Sequence, residues 1–279
     1  MAELADPPLR AITYLSPGIP LEFFEHVTRY LCRAVGRLPI LESEERVSGP
    51  MHGEHDPFSV GRADLGFLCS PSYLYLRALP EPSVELVPVG FVFRDPRNQG
   101  RPHYFSDVIV RADRGVSRLE ELRDGVFGFN DTCSLSGYFA ARQELAGRGR
   151  TNGFFKAELC TGSHAASIRA VLAGEVDLAA IDSNVLALAE RGFPRLRERL
   201  RIIESWGPHP IQPIVLTTTL VAELGPSLRA ALLDMTEDPE VGPVLRRFGL
   251  ERCVSIDDTL YEGERRALEE LGQLQPRCR

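Results

Sequence analysis

The chain has 279 residues, 43% hydrophobic and 25% charged, with a formal net charge of −7. That length allows two domains or one large one. The acidic balance argues against a general nucleic-acid surface, and no run approaches the roughly 20 apolar residues of a membrane span. Residues 1–10 hold two acids and two prolines, with neither a basic nor an apolar leader segment. As written, the chain reads as cytoplasmic, and as periplasmic or extracellular if it is a mature fragment.

Ala11 to Leu15 reads as a buried strand closed by the turn Ser16-Pro17-Gly18. Leu21 to Val35 places Phe24, Val27, Leu31 and Ala34 on one helical face. Leu38 to Glu42 reads as a second strand, and Met51 to Phe58 as a polar loop. Ala63 to Cys69 is the next strand, after which Ser70 caps a helix with Pro71 at its first position. Val84 to Arg94 reads as one extended run, followed by a loop to His103 and a β-branched strand, Phe105 to Arg111. The charged segment Ala112 to Gly115 reads as a crossing between lobes.

The middle of the chain forms its own α/β series. Leu119 to Asp124 reads as a helix, and Val126 to Phe129 as a strand. The hydroxyl-rich turn Asn130 to Ser136 follows, with a helix from Gly137 to Leu145. Ala157 to Cys160 is a strand, Gly162-Ser163-His164 a turn, and Ala165 to Leu172 a helix. Then come the strand 176–181, the turn Asp182-Ser183 and a helix to Glu190. Extended signals resume at Leu200 and continue, past a Pro-rich turn at 208–213, into Ile214 to Thr217; amphipathic helices near 226–236 and 259–274 close the chain. The order predicts an α/β protein of two lobes, 1–111 with 209–279 and an inserted 112–208, enclosing a ligand cleft.

Four strand ends thus carry polar turns that start helices. For any one of them, an N-cap satisfying the helix's own amides is the commoner role. Their recurrence is what points to a ligand, because in open α/β sheets ligands bind beyond the carboxyl ends of the strands. Free helix-start amides and small hydroxyls suit a small oxyanion. The candidate binding residues are Ser134, Leu135, Ser136, Gly137, Ser163, His164 and Asp182, with Tyr14, Ser70 and Tyr73 from the other strand ends. His52-Gly53-Glu54-His55-Asp56 has the composition of a metal site but not a helical ligand spacing, and reads as a solvated loop. No metal, cofactor or catalytic constellation is expected. The six cysteines (Cys32, Cys69, Cys133, Cys160, Cys253, Cys278) show no CxxC spacing. Among them Cys133 alone sits at a turn before a helix.

The run from Tyr104 to Ser183 resembles the core of the phosphonate/phosphite/phosphate-binding proteins of ABC importers, a type 2 periplasmic-binding-protein fold. The likeness rests on Phe105 to Arg111, Leu119 to Asp124, Ser134-Leu135-Ser136-Gly137-Tyr138, Gly162-Ser163-His164, and Gly174-Glu175-Val176-Asp177 through Asp182-Ser183. Weaker likeness extends to Thr13 to Pro17 and Ala63 to Phe67. The resemblance implies a solute-binding protein with an ABC importer as partner, and Ser134, Ser136, Gly137, Ser163 and His164 as holders of the phosphonate oxygens. Ala165 stands where that family usually has an acid, leaving Asp182 to meet a cationic or polar part of a ligand. Two other classes stay open. One is an enzyme on the same fold, like the thiamine-pyrimidine synthases or menaquinone-pathway enzymes, with Cys133 and His164 as first nucleophile and base. The other is a sensory module like the effector domains of transcriptional regulators, although no helix-turn-helix precedes the first strand.

Overall fold

The structure, a computed structural model, describes residues 6–45, 48–51, 54–150 and 153–274. His52 and Gly53 of the histidine-rich loop, and Cys278, lie outside the described residues. The chain begins with β1 (Leu9–Thr13), α1 (Leu21–Val35), β2 (Pro39–Ser43), β3 (Leu65–Phe67), α2 (Ser70–Ala78), β4 (Val84–Leu86) and β5 (Val89–Phe93). The middle holds β6 (His103–Arg111), β7 (Val126–Phe129), α3 (Ala140–Gly147), β8 (Ala157–Cys160), α4 (His164–Ala173), β9 (Leu178–Asp182), α5 (Ser183–Gly192), α6 (Leu196–Arg199) and β10 (Leu200–Pro210). The tail adds β11 (Ile214–Thr217), α7 (Val221–Asp234), α8 (Val241–Arg247), β12 (Leu250–Ser255) and α9 (Glu262–Glu270).

Two five-stranded mixed sheets organise these elements into two lobes, in the orders β2-β1-β3-β11-β4 and β10-β6-β9-β7-β8, and β12 pairs with β5 as a separate ribbon. In each five-stranded sheet, strands joined through helices pair in parallel, β1 with β2 and β3, and β7 with β8 and β9. The strands nearest the crossings run antiparallel: β11 against β3, and β6 against β9 and β10. The two crossings touch where the Ile211 amide donates to the Pro102 carbonyl at 2.8 Å.

Helix α1 forms where its apolar spacing predicts, burying Phe23, Phe24, Val27, Leu31 and Cys32 and stopping at Gly36, whose φ of 69° is a left-handed C-cap. Ala34, expected on that face, is exposed. Phe23 carries the packing outward, edge-on to Phe24, Phe91 and Phe248, so α1 ties the first sheet to the β5–β12 ribbon. In the second sheet, Val108 and Val110 join Phe127, Leu178 and Trp206 in a separate core, while Ile109, Ala179 and Ile181 face the other way into the main core. That is the period-2 alternation of a sheet covered on both faces.

Several expectations change. Val84 to Arg94 is two strands, broken at Val87 and Pro88; β4 stays in the first sheet and β5 turns to β12. A proline cannot donate to a ladder, which accounts for the break. β6 belongs to the second sheet from His103 onward, so a division by sheet puts the first crossing before His103 rather than after Arg111. β10 runs through the start of the Pro-rich turn as far as Pro210. The segment after Arg118 is a 3-10 turn, Leu119–Leu122. α7 starts at Val221 and accommodates Pro226 within it, and neither α8 nor β12 was anticipated.

Candidate functional site

The polar ends of β1, β3, β7 and β9 converge on one partly open cavity of about 40 Å³ between the two sheets. From the second sheet come Asn130, Ser134, Ser136, His164 and Asp182; Tyr14, Ser48 and Cys69 come from the first. Gln212, on the second crossing, completes the polar lining.

The first wall is built by Ser134. Its hydroxyl oxygen accepts from the Gly137 amide at 3.1 Å, and its carbonyl accepts from the Phe139 amide at 3.0 Å. That wide bond makes Leu135–Phe139 a π-helical turn ahead of α3, a distortion common at functional sites. Gly137 is required for a steric reason. A β-carbon there would sit 1.7 Å from the Asn130 Oδ1. The Ser134 hydroxyl, which accepts from Gly137, retains its own hydrogen to offer a ligand.

His164, the first residue of α4, places Nε2 3.2 Å from the Ser136 Oγ, and its buried Nδ1 has no partner. Burial pushes its imidazole down to about 4, so it is neutral at neutral pH. Asp182 caps α5, accepting from the amides of Asn184 at 2.7 Å and Val185 at 3.3 Å, and it receives the Gln212 amide at 2.6 Å. Burial pushes that carboxyl up to about 6. Among the described residues no lysine or arginine lines the cavity, whose polar lining is made of neutral groups and helix starts beside the Asp182 carboxyl.

The lobes meet around this space. The Leu135 amide donates to the Cys69 Sγ at 3.4 Å, and a β-carbon on Gly18 would stand 3.2 Å from the Val185 Cγ2. Ser48, held at φ 83°, donates its amide to the Tyr14 carbonyl at 3.0 Å and accepts the Cys69 amide at 2.7 Å. A serine in the left-handed region is uncommon away from constrained sites.

Of the sequence candidates, Tyr14, Ser134, Ser136, His164 and Asp182 line the cavity together. Gly137 shapes it from behind. Ser163 is the N-cap of α4, its hydroxyl accepting the Ala166 amide at 3.1 Å, and does not line the cavity. Leu135 lines a different groove. Ser70 is fully buried, and the Tyr73 hydroxyl donates to Asp258 while its ring packs edge-on to Tyr261 at 5.4 Å. Both serve the packing of α2 on α9. Cys133 is buried beside the cavity without lining it, and among the described residues no His/Cys/Asp/Glu group is placed to hold a metal. The sequence reading missed Ser48, Asn130 and Gln212. Asn130 stood in the polar turn it singled out, but nothing local marked Ser48 or Gln212.

Similarities to known proteins agree with this architecture. The binding component of an ABC phosphonate transporter from Pseudomonas aeruginosa superposes with a TM-score of 0.78 at 19% identity, covering 96% of this chain and 86% of that one. PhnD1 of Prochlorococcus marinus, solved with methylphosphonate, gives 0.76 at 15% identity, covering 95% and 98%. The periplasmic aliphatic sulphonate binding protein of Escherichia coli gives 0.62 at 11%, covering 96% and 93%. At such identities the superpositions establish a two-lobed periplasmic-binding-protein fold. Residues 22–261 match the family model described as "ABC transporter, phosphonate, periplasmic substrate-binding protein", and the chain belongs to that family.

Proposed function

We propose that this protein encloses a small phosphonate- or phosphate-like oxyanion between its lobes and presents it to an ABC importer. The observation that carries the reading is the convergence of Ser134, Ser136 and His164, from two helix starts, on one cavity. A hydrogen bond to a charged group contributes about 1.5–3 kcal/mol. A volume of about 40 Å³ favours a tetrahedral anion with no substituent or a very small one. The lobes we assign are 6–99 with 211–274, and 103–210, following the sheets. The family is periplasmic by description, which supports a periplasmic site of action over the cytoplasmic one expected from the first ten residues. The enzyme alternative has less support: Cys133 does not reach the cavity, and His164 has a serine, not an acid, as its ring partner.

Titration calorimetry against phosphate, phosphite, methylphosphonate, aminoethylphosphonate and sulfate tests the reading. Methylphosphonate or phosphite should bind one to one and be recovered unchanged. If no oxyanion binds, or if Ser134→Ala and Ser136→Ala bind all of them as the parent does, these turns are helix caps and the proposal fails.

A further inference from the structure

A second, larger groove of about 710 Å³ opens between α3 and α9, on the far side of Leu135 from the anion cavity. Glu264 on α9 lines it and is only 7% exposed, yet neither of its carboxyl oxygens has a hydrogen-bond partner. The buried hydroxyls of Ser70 and Tyr104 lie in the same cluster, Ser70 beside the Glu264 carboxyl and Tyr104 beside Ser136. Groups of this kind are rare in native interiors and call for a partner. A buried acid flanked only by hydroxyls has not met its natural counter-charge.

The rest of the groove indicates what that partner is. His103 and His209 face it; burial lowers both imidazoles, that of His209 to about 4, and the His209 Nε2 is buried without a partner. Glu270 also lines it, and among the described residues no lysine or arginine does. Ala146, Ala267, Leu260 and Leu271, with Pro208 and Pro210, supply apolar walls. A carboxyl with other polar groups, aliphatic walls, and no cation among the described residues together match a short alkyl chain ending in an ammonium, whose three N–H donors and positive charge answer the unpartnered carboxyl.

We propose that the α3–α9 groove is a second ligand site, taking an aliphatic primary ammonium ion with Glu264 as its counter-ion. The groove is walled by a helix of each lobe, so an occupant bridges the lobes outside the anion cavity. This site stands independently of the oxyanion reading, since it shares no lining residue with that cavity.

The test is calorimetric titration of the intact protein with n-butylammonium chloride, with n-butanol and sodium chloride as controls. The expected result is one-to-one binding of butylammonium and none of butanol. Glu264→Gln, isosteric but uncharged, should weaken it at least about tenfold. Gly263→Leu provides a second check. Gly263 lines the groove and a β-carbon there meets nothing within 4 Å, so the leucine fills the groove without disturbing α9 and should also abolish binding. Melting curves establish that each variant is folded. No butylammonium binding to the parent would mean the acid is satisfied by water alone and overturn the proposal; equal binding of butanol, or binding unchanged in Gly263→Leu, would overturn it as well.

Discussion

Alanine normally stabilises a helix relative to glycine, by about 0.5–1 kcal/mol, yet Gly137→Ala should do the reverse. The new β-carbon would lie 1.7 Å from the Asn130 Oδ1, 2.8 Å from its Cγ and 3.1 Å from the Ser134 Oγ. Asn130 is 4% exposed and cannot swing into solvent, so the π-helical turn must shift or the amide must be forced off its rotamer. Overpacking of this kind costs about 1–3 kcal/mol, and a displaced Asn130 loses its place in the cavity lining. The expected outcome is a lower melting temperature together with loss of methylphosphonate binding. Asn130→Ala should also weaken binding, but the double variant Asn130→Ala/Gly137→Ala should recover most of the stability lost by Gly137→Ala. A double-mutant cycle on thermal melts measures that coupling, and contacts this close give about 0.5–3 kcal/mol. Gly137→Ala melting at or above the parent temperature, or a cycle with no coupling, would refute the steric account of Gly137.

Ser136→Ala should weaken methylphosphonate binding by about 1.5–3 kcal/mol with little change in melting, while Ser163→Ala should cost about 1 kcal/mol of stability as a lost N-cap and leave the cavity lining intact; calorimetry beside melting curves separates the two serines, and a reversed pattern would overturn their assignment. Burial pushes the Glu264 carboxyl from its ordinary 4.5 up to about 8. Its contribution is therefore fully present below pH 4.5, falls as pH rises through 8, and leaves the folded state destabilised above that. The groups facing it, Cys69, Tyr104 and Tyr261, are all raised and stay protonated in that window. The parent minus Glu264→Gln difference in stability, by denaturant titration, should decline from pH 5 to pH 9; a flat difference contradicts the burial argument. An anion entering beside Asp182, already raised to about 6, should raise that carboxyl further, so binding near pH 6.5 should take up protons. Calorimetric enthalpies measured in buffers of different ionisation heat should then differ, and identical enthalpies would sink the idea.

What the sequence revealed was local. The α1 face from Phe24 to Leu31 and the strand-turn-helix at Phe129 to Ala140 are set by residues within one turn of each other and appear much as read, whereas Ser163, read as a ligand holder, is a helix cap. The failures are non-local. β12, reading Leu-Glu-Arg-Cys-Val-Ser, has no apolar run of its own and is a strand because β5 lies beside it. β6 looked like the last strand of one lobe because its apolar pattern is the same whichever sheet it joins; only its pairing with β9 and β10 decides. Ser70 and Tyr73 carried the same signature as Ser134 and Ser136, a hydroxyl ahead of a helix. Nothing in that signature says which way the hydroxyl points once α9 packs against α2. Gln212 lay in a segment whose prolines announced only a turn, and its value comes from standing where the crossing passes Asp182.

That no cation lines the cavity among the described residues bears on how, on the proposed reading, an importer's binding protein works. A buried arginine would hold an anion in either lobe arrangement, because a full charge acts over many ångströms in a low-dielectric setting. Hydroxyls and helix-start amides act only at contact. Here the donors are divided, with Asn130, Ser134, Ser136 and His164 on one sheet's loops and Tyr14, Ser48 and Cys69 on the other's. On the proposed reading, neither lobe alone completes the shell, so the ligand interacts more strongly with the closed arrangement than with any open one. A ligand shifts a conformational equilibrium only by such a difference in affinity. On that reading, dividing short-range donors between the lobes would make closure report occupancy, and the same division would let the anion leave once an importer drew the lobes apart.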